Sequence, residues 1–393
     1  MFSDRTAWNL ESNPLSKALA DRVASGKPVI DLTESNPTKC GFHFEAQQIL
    51  EALSHPASLN YEPVAQGLLS ARNAVVDYYR SRECAVNLND IFLTTSTSEA
   101  YSFLFRTLCN PADEVLIPQP GYPLFNFLAD IQGLATAPYP LIYDYGWQID
   151  FHALRQAINP RTRAIVVVNP NNPTGHFCGT DDMHRLSQIC LEGDLAIVAD
   201  EVFLDFSLGK EILPSFASNN KALTFTMSGL SKISGLPQMK VAWLIATGPE
   251  TLKQQGVARL EMIADTYLSM NTPMQLALPA LLELRHNFQQ QCIARTRTNL
   301  AQLDRLLSTQ KLCSRLNLEG GWYAVIRVPV TGGDDDLALE LLNWRGVYVH
   351  PGHFYDFPSD GYLVVSLITP EPAFTAGVEA LVALLGEKFK KDF

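Results

Sequence analysis

Short segments rich in Val, Ile and Leu alternate with longer amphipathic segments through the middle of the chain, and this alternation limits the fold most strongly. The predicted strands are Ile91–Thr94, Glu114–Pro118, Ala164–Asn169, Leu195–Ala199, Ala222–Met227 and Lys240–Ala246, and the helices between them include Ser98–Leu108 and Thr180–Leu191. Apolar strands separated by helices favour an α/β fold, with a mostly parallel sheet covered on both faces. Such sheets bind ligands beyond the carboxyl ends of their strands.

The pattern changes at about Asn271. A long helical segment, Gln275–Leu307, precedes three shorter predicted strands and a final helix, Phe374–Phe389. The strands are Trp322–Val328, Gly346–His350 and Tyr362–Leu367. We therefore expect a large domain over residues 46–272 and a smaller α+β domain built from residues 1–45 and 273–393.

The composition excludes several classes of partner. The 393 residues include 41 acidic and 30 basic side chains, so the formal net charge of −11 argues against a nucleic-acid-binding face. No apolar run approaches the ~18 residues of a membrane-spanning helix, and the N-terminal segment lacks the apolar stretch of a secretion signal. Seven scattered cysteines without CxxC spacing predict reduced thiols and a cytoplasmic location.

Hydroxyl and amide side chains follow two of the predicted strands. Thr94–Glu99 opens a helix, where free N–H groups and hydroxyls can hold a phosphate, although Ser and Thr also cap ordinary helices. Asn169–Gly175 contains two prolines and a glycine, which make a rigid turn that can direct the amide of Asn172. A plain turn is the alternative interpretation.

Charged side chains follow two further strands. Asp200 either caps a helix or faces a cationic ligand, because a buried carboxylate needs a positive partner. Lys232 ends the segment Ser228–Lys232. Lysines at such an edge are commonly solvated, but a deprotonated lysine can attack a carbonyl and form a Schiff base.

These segments, taken in order, resemble the fold-type-I pyridoxal-phosphate enzymes, and specifically the class I and II aminotransferases. The resemblance runs from Asp31 to about Phe389 and rests on Asn36-Pro37, Tyr61 with Gly67, Thr95–Thr97, Pro120–Pro123, Asn171–Gly175, Asp200–Val202, Ser228–Lys232, Gly235–Pro237 and Pro351-Gly352. It implies pyridoxal 5'-phosphate as the cofactor and transfer of an amino group between an amino acid and a 2-oxo acid.

The resemblance also implies roles for the residues that face the cofactor ring. Lys232 is expected to form the Schiff base and then to move the proton between the substrate Cα and the cofactor. Asp200 is expected to keep the pyridine nitrogen protonated, so that the ring can accept electrons. Asn172 is expected to donate to the phenolic oxygen, and Tyr122 to stack on the ring.

Other residues are expected to hold the cofactor phosphate. They are Ser96, Thr97, Ser231 and Lys240, with Ser228 a weaker candidate. Tyr61 is expected to reach the phosphate of a neighbouring subunit, which implies a homodimer with shared active sites.

Three positions depart from the family pattern. Lys240 stands where the family usually has arginine, which keeps the charge but loses a bidentate contact with phosphate. Phe203 replaces a tyrosine that donates to the phenolic oxygen, and this change should raise the pKa of the Schiff base. Val364 replaces the arginine that clamps the substrate carboxylate. Replacement cations could come from Arg327, His350 or His353.

The missing arginine leaves a second reaction open, namely a C–S β-lyase or a decarboxylase that uses the same cofactor. A third interpretation is a ligand-sensing regulator on this fold. The negative net charge and the absence of sequence for a DNA-binding domain argue against it. GxGxxG and GxxxxGK[ST] motifs are absent, and the eight histidines show no metal-ligand spacing, so no metal site is predicted.

Overall fold

The computed structural model describes residues 1–209, 213–330 and 332–389. Its strands, numbered in chain order, are β1 (Ile30–Asp31), β2 (Ile91–Thr94), β3 (Glu114–Gln119), β4 (Ala135–Tyr143), β5 (Trp147–Ile149), β6 (Thr162–Val168), β7 (Ala196–Asp200), β8 (Thr224–Gly229), β9 (Ala242–Thr247), β10 (Ser314–Arg315), β11 (Tyr323–Arg327), β12 (Val347–Tyr348), β13 (His350–Pro351) and β14 (Tyr362–Ser366).

The helices are numbered in the same way. They are α1 (Pro14–Ala24), α2 (Ala46–Ala52), α3 (Leu69–Arg80), α4 (Thr97–Leu108), α5 (Phe125–Gln132), α6 (Phe151–Ala157), α7 (Thr180–Gly193), α8 (Leu230–Ile233), α9 (Glu250–Tyr267), α10 (Thr272–Glu283), α11 (Arg285–Leu307), α12 (Asp334–Glu340) and α13 (Glu371–Phe389). None of the helices within the described ranges is long and apolar enough to cross a membrane.

An eight-stranded sheet with the order β2-β9-β8-β7-β6-β3-β4-β5 forms the centre of the molecule. The pairings among β3, β4, β6, β7 and β8 are all parallel, whereas β9 and β5 run antiparallel to their neighbours. The carboxyl ends of β6, β7 and β8 therefore lie side by side at one edge. The expected mostly parallel α/β sheet is confirmed.

Both faces of this sheet are buried. In β6, Ile165 and Val167 pack into one apolar cluster, while Ala164, Val166 and Val168 pack into another on the opposite face. Alternate residues of a strand point to opposite faces, so helices must cover both sides of the sheet. This explains why β6 reads as a continuous apolar run.

The later part of the chain forms a smaller antiparallel sheet with the order β10-β11-β14-β13. The N-terminal segment joins this region, because β1 pairs in parallel with β12. The prediction of a single helical segment over Gln275–Leu307 is wrong. Two helices, α10 and α11, meet at Leu284, and the chain already becomes helical at Thr272.

Strands β4 and β5 are absent from the sequence prediction. The sequence of β4 contains Pro138 and Pro140, and prolines argue against a central strand because they cannot donate to a neighbouring strand. The strand nevertheless pairs with β3 on one side and with the short edge strand β5 on the other. The final helix also begins earlier than predicted, at Glu371.

Candidate active site

The ends of β6, β7 and β8 bring most of the predicted site residues around one cavity of about 320 Å³. Its lining contains Ser96, Thr97, Tyr122, Asn172, Asp200, Ser231 and Lys232 from the predicted set. Ser35, Ser98, Val168, Val202, Phe203, Gly229, Pro237, Ala242 and Tyr323 complete the lining.

One end of the cavity is formed by the N-terminus of α4. The Ser96 hydroxyl caps this helix by accepting from the Glu99 amide (3.2 Å), and the Glu99 carboxylate accepts from the Thr95 amide (2.6 Å). This capping box holds the first turn in place, with its unpaired N–H groups and positive helix dipole at the cavity. Ser96, Thr97 and Ser98 add hydroxyls, and Ser231 adds another. The arrangement suits a phosphate.

The turn after β6 presents Asn172 to the cavity. Within the turn, the Thr174 hydroxyl donates to the Asn171 side chain (2.9 Å). Gly175 has a positive φ of 71° and lies so close to the Gly320 backbone that a Cβ atom would meet the carbonyl oxygen at 2.5 Å. Only glycine suits that position. The buried Oδ1 atom of Asn172 has no hydrogen-bond partner within the described chain, which is consistent with a ligand in the cavity.

Asp200, the last residue of β7, is the buried carboxylate of the site. One oxygen accepts from the Val202 amide (3.2 Å) and the other from the Tyr101 hydroxyl (3.2 Å). Burial raises the pKa of Asp200 to about 6, although these donors and the nearby Lys232 oppose the shift. Asp200 is therefore mainly ionised at neutral pH and is well placed to pair with a cationic group of a ligand.

Lys232 lies on the single turn α8, which follows β8 directly. Gly229, the last residue of β8, lies against the backbone next to β9, where a Cβ atom would meet the Val241 carbonyl oxygen at 2.7 Å. The Lys232 amine lies 4.9 Å from the centroid of the Trp322 ring and 5.5 Å from that of the Phe203 ring. Burial lowers the pKa of Lys232 to about 8, and the charge of Asp200 limits the decrease. An appreciable fraction of the amine is thus uncharged at neutral pH.

Three of the residues considered for the phosphate are not part of the cavity wall. Tyr61 is 70% exposed, and Lys240 is an exposed residue with a positive φ of 53°. Lys240 precedes β9, which begins at Ala242 rather than at Lys240 as predicted. Ser228 is buried, and its hydroxyl donates to the Glu201 carbonyl at 3.3 Å.

The position that usually carries the carboxylate-binding arginine is apolar. Val364 is 1% exposed and packs in an apolar cluster with Val325 and Tyr355. The three proposed replacements lie outside the cavity wall. Arg327 is exposed, with its guanidinium 5.7 Å from the centroid of the Tyr143 ring.

The two histidines are equally unsuited to hold a carboxylate. Burial lowers the pKa of His350 to about 4, so that its ring is neutral at pH 7. His353 is exposed and faces Asp335 at 3.2 Å. Among the described residues that line the cavity, Lys232 is the sole cationic side chain.

Sequence analysis missed Ser35 and Tyr101 and gave no specific role to Tyr323. Ser35 and Tyr323 come from the two ends of the chain and meet across the cavity, where the Ser35 hydroxyl limits the increase in the pKa of Tyr323 that burial causes. The motif Asn36-Pro37, next to Ser35, was the available signal. Nothing in the sequence around Tyr101 indicates its contact with Asp200.

The residues present fit pyridoxal 5'-phosphate. The hydroxyls and N–H groups at α4 suit the phosphate, and Tyr122 offers an aromatic face. Asp200 suits a protonated ring nitrogen, the NH2 group of the Asn172 amide suits a phenolic oxygen, and the Lys232 amine suits the aldehyde. Each polar part of this ligand thus has a complementary group in one cavity.

Comparisons with known proteins agree with this assignment. The sequence profile of the family described as aminotransferase class I and II matches residues 27–373. An alanine aminotransferase of Mycobacterium tuberculosis is 29% identical over 385 residues, which are 94% of this chain and 88% of that protein. A glutamate-pyruvate aminotransferase of Haemophilus influenzae is 29% identical over 271 residues, covering 68% of this chain and 67% of that protein.

Solved structures give the same fold. An alanine aminotransferase from Pyrococcus furiosus superposes with a TM-score of 0.88 at 23% identity, covering 98% of this chain and all of that one (100%). A Thermus thermophilus aspartate aminotransferase variant superposes with a TM-score of 0.85 at 22% identity, covering 98% and 100% of the two chains.

Proposed function

This chain belongs to the class I and II aminotransferase family and is a pyridoxal-phosphate-dependent aminotransferase, and on that premise we propose that Lys232 is its catalytic residue. The observation that carries the proposal is the position of the Lys232 amine, which lies with Asp200 and Asn172 in one cavity and has a pKa lowered to about 8. An amine that loses its proton near neutral pH can bond to an aldehyde as a Schiff base.

Each side chain around the cavity has one task in this proposal. Bound pyridoxal phosphate withdraws electrons from the substrate Cα, and this chain's residues make that withdrawal effective. Asp200 holds the proton on the ring nitrogen, Asn172 donates to the phenolic oxygen, and Tyr122 covers a ring face and excludes water. The Lys232 amine would accept the proton from the substrate Cα.

The phosphate is held at the other end of the cavity. Ser96, Thr97, Ser231 and the N–H groups at the start of α4 are its partners in our proposal. Lys240 is exposed and lies outside the cavity wall, and its contribution of a positive charge to phosphate binding is part of the proposal. Since a lysine makes no bidentate contact, a Lys240→Arg variant should bind the cofactor more tightly.

The substrate carboxylate is held by uncharged donors. Ser35 and Tyr323 offer hydroxyl groups in the cavity lining, whereas Val364, at the position of the usual arginine, is buried and apolar. The described lining also lacks a further cation for a second carboxylate. We therefore propose an amino donor with an uncharged side chain, and the relatives named alanine aminotransferase favour alanine.

The active form is a homodimer in this proposal. Tyr61 is exposed and does not line the cavity of its own chain, as expected for a side chain that serves a neighbouring subunit. Large apolar side chains are exposed on the same part of the chain, namely Leu50, Leu59 and Leu69. Burying this surface against a second copy would remove it from water.

Two further expectations stay proposals. The division into a large domain over residues 46–272 and a small domain from residues 1–45 and 273–393 is one. A cytoplasmic location is the other, supported by seven free cysteines, of which six are buried.

A donor screen tests the function. The holoenzyme is mixed with single amino acids, first alone and then with pyruvate or 2-oxoglutarate. Transamination converts the cofactor to its amino form with one donor and needs a 2-oxo acid for turnover. Release of ammonia and a 2-oxo acid from one amino acid alone would instead favour the β-lyase alternative. Faster turnover of aspartate than of every uncharged donor would contradict the proposed substrate class.

A further inference from the structure

Three side chains outside the cofactor cavity face one another at the start of α7, and we propose that they bind a zinc ion. They are His176, Cys178 and Asp182, whose potential ligand atoms all lie within 4.8 Å of one another. His176 and Cys178 are buried, whereas Asp182 is 25% exposed. None of the three lines the cavity that holds the cofactor.

His176 has nitrogens that the protein does not satisfy. The residue is only 7% exposed, and neither ring nitrogen has a hydrogen-bond partner among the described residues. Its Nε2 atom lies 3.7 Å from an Asp182 oxygen, which is too long for a hydrogen bond. Leaving buried polar atoms unpaired is costly, so a ligand at this ring would stabilise it.

The separation of the ligand atoms suits a bridging metal ion better than a hydrogen bond. Zinc bonds of 2.0–2.3 Å at tetrahedral angles place neighbouring ligand atoms roughly 3.3–3.8 Å apart. The separation of 3.7 Å between His176 Nε2 and Asp182 Oδ2 lies within this range. Since the other ligand-atom separations do not exceed 4.8 Å, small side-chain movements complete a three-residue site, and the exposed edge of Asp182 lets a water molecule take the fourth position.

The donor atoms select the ion. One imidazole nitrogen, one thiolate sulfur and one carboxylate oxygen suit zinc, whereas magnesium and calcium prefer oxygen alone. Binding releases the Cys178 thiol proton to solvent. The thiolate and the Asp182 carboxylate then balance the two positive charges, so the buried centre is neutral.

Glu319 orients the histidine from the opposite side. One of its carboxylate oxygens lies 3.5 Å from His176 Nδ1 and accepts from the Phe177 amide at 2.8 Å. A carboxylate behind the second ring nitrogen is the usual support of a metal-binding histidine. The Glu319 and Gly320 amides also donate to the Gly175 carbonyl (3.2 and 3.1 Å). The metal would therefore stabilise the turn that presents Asn172.

Metal analysis of the tag-free holoenzyme tests this proposal without an activity assay. We expect about one zinc per chain after growth with added zinc. After chelation, cobalt should restore ligand-field absorption at wavelengths beyond the cofactor bands, together with a thiolate charge-transfer band in the difference spectrum. Asp182→Asn should weaken binding about tenfold or more. Cys178→Ser should abolish the charge-transfer band.

Matched controls come from neighbouring residues. Asp181→Asn alters an exposed carboxylate in the first turn of α7, which also contains Asp182. Cys190→Ser alters a buried cysteine within α7. Both variants should keep the metal and the cobalt spectrum. The proposal is overturned if the wild-type chain takes up neither stoichiometric zinc nor cobalt, or if the charge-transfer band survives in Cys178→Ser.

Discussion

The amine of Lys232 lies 4.9 Å from the centroid of the Trp322 ring, and Trp322 is fully buried. The centroid of the Phe203 ring lies 5.5 Å from the same amine, and this ring packs edge-on against Trp322. These rings remove water from the ammonium group, and burial is the largest cause of its lowered pKa. The aromatic residues beside the lysine thus favour its uncharged form, which the proposed Schiff base needs.

The first prediction concerns the pH dependence of cofactor attachment. Only the uncharged amine attacks an aldehyde, and the pKa of Lys232 is lowered to about 8. The attachment rate of cofactor-free protein should therefore rise about tenfold per pH unit below pH 8 and level off above it. Stopped-flow absorbance measures this rate. A rate that still rises steeply at pH 10 would mean that the lysine is not perturbed.

The second prediction concerns Asp200→Asn. Burial raises the pKa of the Asp200 carboxyl in the folded chain to about 6, above its value in the unfolded chain. Stability is therefore lost as the pH rises from about 4 to about 6, and it stays lost at pH 7. The asparagine variant cannot ionise and escapes this loss. Its amide oxygen can still accept from the Val202 amide, while its NH2 group can donate to the Tyr101 hydroxyl oxygen.

Cofactor-free Asp200→Asn protein should accordingly melt at a higher temperature than cofactor-free wild type at pH 7, but not at pH 4. Its turnover should nevertheless fall by about 10²-fold or more, because the ring nitrogen loses its charged partner. Thermal unfolding at the two pH values and steady-state kinetics check both parts. Unchanged turnover would remove Asp200 from the mechanism.

The third prediction concerns Phe203→Tyr. An added hydroxyl that donates to the phenolic oxygen favours the deprotonated cofactor linkage, so the pKa seen in a visible absorbance titration should fall. A hydrogen bond of about 0.5–1.5 kcal/mol corresponds to a decrease of up to about one pH unit. Phe203→Leu removes the ring without adding a donor and serves as the control. An equal decrease in both variants would refute the hydrogen-bond explanation.

The fourth prediction uses mixed dimers of two inactive variants, Lys232→Ala and Tyr61→Ala. If Tyr61 completes the site of the neighbouring subunit, one site of each mixed dimer contains both native residues. Tight cofactor binding and activity should then return on mixing, to about one quarter of the wild-type level for random exchange. Absence of any recovery in dimers shown to have exchanged would place Tyr61 in its own subunit's site, or outside it.

Much of the site could be predicted because its residues follow the strands in the sequence. Asn172, Asp200 and Lys232 come just after β6, β7 and β8, and parallel neighbouring strands bring such ends together. Short motifs and the apolar strands before them were therefore sufficient to predict that these three residues lie together. The hydroxyls at α4 were predicted for the same reason.

Other features depend on packing that the sequence does not reveal. Ser35 and Tyr323 are far apart in the chain, and only the folded molecule brings them to one cavity. The break between α10 and α11 at Leu284 has no glycine or proline to announce it. The pair His176 and Cys178 escaped notice because contacts with Glu319 and Gly320, which lie far along the chain, hold the turn that brings them to Asp182.

The most direct test identifies the residue that carries the cofactor. Holoenzyme is reduced with borohydride, digested and analysed by mass spectrometry, with Lys232→Ala treated in parallel. The cofactor mass should be found on the peptide that contains Lys232 and should be missing from the variant. Cofactor bound to Lys240 or to any other lysine of wild type, or no covalent adduct at all, would contradict the account.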